Sequence, residues 1–112
     1  MRILFDECVP RPLRRHLSGH QVCTVQEMGW AGLKNGELLQ EVTAAGLDMF
    51  LTVDQNLQHQ QNVRAAGVTV VVLVALSNKM VDLEPLMPRV VAALAAIRPG
   101  ELVEIGADPA GP

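Results

Sequence analysis

The chain has 112 residues, 49% of them hydrophobic and 19% charged, with a formal net charge of −3. That length fits one domain, and the balance is that of a globular chain rather than a disordered one. The mild acidity argues against a broad nucleic-acid-coating surface, two cysteines are too few for a disulfide framework, and no apolar run reaches the length of a membrane span.

In chain order, Arg2-Ile3-Leu4-Phe5 is a short apolar run closed by Asp6-Glu7. Such a run bounded by polar residues predicts a strand buried on both faces. Two prolines within 8–12 suit a helix start, and the helix that follows runs to about 17, with Leu13 and Leu17 inward and Ser18-Gly19 as its stop. Residues 21–25 form a second strand, and 26–34 a loop around Met28-Gly29-Trp30-Ala31-Gly32. Asn35 is expected to cap a second helix, with Glu37 in its first turn and Leu38, Leu39, Val42 and Ala45 as its apolar stripe. Gly46 ends it. Residues 49–53 are the third strand, with Asp54 directly after it. A polar third helix is expected over 56–66, then a fourth strand over 68–75. Leu83, Leu86, Val90, Leu94 and Ile97 carry a fourth helix, with Asp82 as a candidate cap and Pro88 predicting a kink or a late start near Leu86. The fifth strand covers 101–105, which makes 1–105 the domain and 106–112 a disordered tail.

This βαβαβαβαβ order predicts a three-layer αβα sandwich around a central parallel five-stranded sheet. Every loop that leaves the carboxyl end of a strand then falls on one side of the sheet, where open α/β sheets bind ligands. Asp6, Glu7, Asp54 and Ser77-Asn78-Lys79 belong to that side, and Glu37 opens a helix that starts there. Each acid alone is a plausible turn or capping residue. Several carboxylates at one edge repel one another, and such a cluster is normally held by a cation, for which hard oxygen donors select Mg²⁺ or Mn²⁺. A metal so held binds phosphate oxygens and activates water for phosphodiester hydrolysis.

With the element order, FDE after the first strand, NGELL at the second helix and LTVDQNL at the third strand, the chain resembles the PIN-like nucleases, from Arg2 to about Ile105. The small branch known as DUF5615, related to the Mut7-C domain, is the nearer resemblance. It implies a metal-dependent ribonuclease, with Asp6, Glu37 and Asp54 as metal-binding and catalytic acids. It also implies a toxin of a toxin–antitoxin pair, with a small antitoxin protein and a second copy of the chain as partners. Asn35 and Asn56 stand where relatives often carry further acids, so one weakly held metal or a degenerate site is expected instead of a full two-metal centre.

Arg11, Arg14 and Arg15 either hold an RNA backbone through phosphates or form a solvated helix face. Asn56 and Asn78 join them as candidate substrate contacts. Trp30 either stacks on a base or plugs the core or a dimer contact, and His16, His20 and His59 have no partner legible in the sequence. A receiver-like phosphoacceptor switch on Asp54 is a competing reading, weakened because 101–105 contains no Lys. A third reading is a PIN-like protein that binds a partner and cleaves nothing. With no leader segment recognised, Cys8 and Cys23 are expected to be reduced and the protein cytoplasmic.

Overall fold

Five strands, β1 (Arg2–Phe5), β2 (Gln21–Thr24), β3 (Met49–Thr52), β4 (Thr69–Val74) and β5 (Leu102–Gly106), form one sheet in the order β2-β1-β3-β4-β5. Every neighbouring pair is parallel. The computed structural model describes residues 1–54, 67–98 and 100–106. The helix expected over 56–66, with Asn56 and His59, lies outside them. Gly106, assigned to the tail by its composition, is instead the last residue of β5, paired with Val74.

The sheet is apolar on both faces because each strand alternates between two cores. On one face Ile3, Phe5, Met49, Leu51, Val71 and Leu73 are buried against Leu13 and Leu17 of a 3-10 helix, η1 (Arg11–Leu17), and against residues from 83 to 94. On the other face Leu4, Phe50, Val70 and Val72 meet Leu38, Leu39 and Val42 of α1 (Asn35–Ala44). Trp30, half-buried, packs against this second core. The chain steps outward from β1 to β2, then crosses back over β1 to β3 and continues the other way. The carboxyl ends of β1 and β3 therefore flank the point where the strand order reverses.

Two expected caps are corrected. Lys34, not Asn35, occupies the N-cap of α1, and Asn35 is its first helical residue. Asp82 is not a cap either: it lies in the first turn of α2 (Met80–Leu83), whose N-cap is Lys79, and accepts the Ser77 hydroxyl at 2.5 Å. The other end of α1 closes as expected, on Gly46 at φ +71°. There the Arg2 guanidinium donates to the carbonyls of Ala45 (2.8 Å) and Gly46 (3.4 Å), which the helix leaves unpaired.

The break foreseen near Leu86 is present. The helical stretch after β4 runs as α2, then a 3-10 turn η2 (Glu84–Leu86), then α3 (Met87–Leu94). Pro85 and Pro88 each stand second in a new segment, within the first turn, where a residue without an N–H interrupts no existing ladder. Among the described residues no helix is long and apolar enough to cross a membrane.

Candidate active site

Asp6 follows β1 at once and is half-buried. Its backbone N–H still donates to Leu51 on β3 (2.9 Å), which ties the strand end to its neighbour. Its carboxylate is anchored at both oxygens. Oδ1 accepts the Glu7 backbone N–H at 2.8 Å, and Oδ2 accepts the Thr52 hydroxyl at 2.7 Å and the Cys8 thiol at 3.7 Å. Thr52 is the last residue of β3, and the same hydroxyl oxygen accepts the Asp54 backbone N–H at 3.0 Å. One buried hydroxyl thus joins the side chain of Asp6 to the backbone of Asp54, across the two strands at the switch point.

Glu37 sits where the sequence predicts, in the first turn of α1, and is exposed. Among the described residues no group of three or more His, Cys, Asp or Glu stands close enough together to hold a metal ion. Of the three expected acids, Asp6 and Asp54 are linked, through the Thr52 hydroxyl. Two oxygen-donor carboxylates, one oriented by three hydrogen bonds, fit a hard divalent cation by donor chemistry. They give it fewer charges than a three-acid set.

Glu7 is turned to a structural task, its Oε1 accepting the Gly32 N–H at 2.8 Å and its carbonyl the Gln26 amide at 3.3 Å. Cys8, beside Asp6, has its thiol pushed above the ordinary value by burial. The Val53 backbone hydrogen bond opposes this rise, and the Asp6 charge adds to it. The sequence marks Thr52 only weakly as part of the site. The only signal is a polar β-branched residue closing a run that is otherwise apolar.

Arg11 and Arg14 both pair with Glu27, at 3.0 and 2.9 Å, and Arg15 pairs with Glu84 at 2.6 Å. His16 reaches the same Glu84 carboxylate at 2.9 Å, and His20 stands 3.2 Å from the N-terminal amine. Hydrogen bonding from Arg14 holds Glu27 below the usual carboxylate range, and hydrogen bonding from Arg15, then His16, does the same for Glu84. Each of these arginines is thus paired with a glutamate, while the Arg11 and Arg15 side chains stay largely exposed, as on a solvated helix face. Asn78 is exposed in the loop after β4, and Ser77 beside it is engaged with Asp82, which removes the receiver-like arrangement of a free hydroxyl there.

A family model for the PIN-like domain matches residues 1–75. The chain belongs to the PIN-like domain family. The matched stretch runs from β1 through β4 and contains Asp6, Glu37, Thr52 and Asp54, whereas α2, α3 and β5 lie beyond it. Membership carries a nuclease-type function at the level of the family, and PIN domains generally use divalent metal ions. Neither curated proteins nor solved structures give a significant match.

Proposed function

We propose that this PIN-like protein is a metal-dependent ribonuclease. The observation that supports it most is the Asp6–Thr52–Asp54 linkage at the switch point of a PIN-like sheet. Asp6 and Asp54 would hold one Mg²⁺ or Mn²⁺, which when bound polarises a phosphodiester and supplies an activated water. The protein's own part is to orient Asp6 through Glu7, Cys8 and Thr52. Arg11, with its side chain 69% exposed, and Asn78 are the residues best presented to an RNA backbone. A cytoplasmic toxin held by a small antitoxin protein is the biological setting this reading favours. The test is cleavage of a mixed RNA pool with Mn²⁺, with Mg²⁺ and with chelator. Metal-dependent cleavage lost in Asp6→Asn supports the reading; equal cleavage in all three conditions, or none, counts against it.

A second reading, a catalytically degenerate PIN-like protein that binds a partner such as RNA without cutting it, is favoured because no group of three or more His, Cys, Asp or Glu among the described residues stands ready to hold a metal. RNA retention with no cleavage in either metal would select it.

A further inference from the structure

We infer that Thr52 is a positioning residue of this site, fixing which oxygen of Asp6 faces a cation and where the Asp54 segment begins. The inference rests on the nuclease reading above. Thr52 is 0% exposed at the end of a strand whose other residues, Met49, Phe50 and Leu51, are apolar and buried. Packing alone does not select threonine here, because valine has nearly the same shape, suits a strand equally, and fills the paired position, Val72, on β4. What threonine adds is one hydroxyl, and both of its capacities are used: it donates to Asp6 Oδ2 and accepts from the Asp54 N–H. A buried hydroxyl with both partners carries no desolvation penalty that would select against it.

The same bonds sort the two oxygens of Asp6. Each carboxylate oxygen has about two acceptor positions. Oδ2 spends both, on the Thr52 hydroxyl and the Cys8 thiol, whereas Oδ1 spends one, on the Glu7 amide. Oδ1 is therefore the oxygen with a lone pair left for a cation, and Oδ2 is the anchor. Groups that orient a ligand in this way typically change metal affinity by about 10- to 100-fold when removed.

The experiment compares wild type, Thr52→Val and Thr52→Ser in two measurements. Backbone amide exchange at Asp54, without metal, reads the clamp directly. Mn²⁺ titration followed by electron paramagnetic resonance reads its consequence for the site. Thr52→Val should lose protection at Asp54 and bind Mn²⁺ at least about tenfold more weakly, while Thr52→Ser keeps both near wild type. A merely structural role would not be rescued by the serine hydroxyl while valine, the better shape match, fails. Thr52→Ala takes the place of valine if the latter does not fold. Unchanged Asp54 protection in Thr52→Val overturns the clamp. Lost protection with unchanged Mn²⁺ affinity overturns the positioning role. Wild-type protein that binds no Mn²⁺ overturns the metal reading and the Oδ1 assignment with it. The exchange measurement then still upholds or overturns the clamp independently.

Discussion

Arg14 and Glu27 form an ion pair at 2.9 Å that joins η1 to the turn after β2, and Glu27 in turn accepts the Thr24 N–H at 2.9 Å while its own N–H donates to the Thr24 hydroxyl at 3.0 Å. Arg14 is thus tied into a reciprocal turn, whereas Arg11 reaches the same carboxylate from a far more exposed position. Arg14→Ala should lower the melting temperature, and Arg11→Ala should leave it close to wild type. For RNA the order should invert: Arg11→Ala should reduce the salt slope of binding by about 0.7 for a lost single-strand phosphate contact. Equal salt slopes in wild type and Arg11→Ala would remove Arg11 from the RNA surface.

Glu84 gives a pH dependence with a definite sign. Hydrogen bonds from Arg15 and then His16 depress its folded-state pKa below the unfolded value. A depressed carboxylate stabilises above its unfolded pKa, and that contribution disappears as pH falls through the folded one. The melting difference between wild type and Glu84→Gln should therefore be present above the ordinary carboxylate range and shrink progressively as pH falls through and below it. A difference that stays constant over that range would show that the bridge adds nothing that titrates.

The outer face of α3 predicts association. Met87, Val90 and Leu94 face the core, yet Val91 is 46% exposed and Ala92, Ala95 and Ala96 beside it are exposed as well. We expect a homodimer or an antitoxin chain on this face. Val91→Glu should shift the light-scattering mass of a dimer to that of a monomer without unfolding the protein. A wild-type chain that is already monomeric at high concentration would exclude the homodimer.

The strands were legible because each is a local apolar run closed by a polar residue, and the break at Pro85 and Pro88 follows from missing backbone donors. What the sequence concealed depends on contacts between distant residues. Arg15 and Glu84 are 69 positions apart, and only the packing of η1 beside α3 brings the segment before it within reach. Asn35 looked like a cap because capping propensity is local, but the turn at Leu33 places Lys34 there instead. Glu37 lies in the first turn of α1, as its place in the sequence implies, but the first turn of a helix at the right sheet edge still leaves open which way the side chain goes. Thr52 escaped notice because a threonine in a strand is ordinary until its hydroxyl is seen between two aspartates.

The sharpest test of the site compares Asp54→Asn with Glu37→Gln. Both substitutions remove one charge and keep shape, so any loss of metal binding reports on ligation rather than on packing. An ion that binds only the native state stabilises it by RT ln(1 + [L]/Kd), about 2.7 kcal/mol at a hundredfold excess over Kd. For a domain of this size that amounts to roughly 10 °C in melting temperature. The structure links Asp54 to Asp6 through Thr52 and leaves Glu37 outside any metal-holding group among the described residues. Asp54→Asn should accordingly lose most of the Mn²⁺-induced shift, and Glu37→Gln should keep most of it. If Glu37→Gln loses the shift as fully as Asp54→Asn, the acid of α1 is a ligand after all, and the helix start must approach the pair when metal binds. If Asp54→Asn keeps its full shift, Asp54 holds no ion and is only a residue that closes β3. Thermal unfolding of the three proteins with and without Mn²⁺, after chelator treatment, separates these outcomes without reference to any RNA substrate.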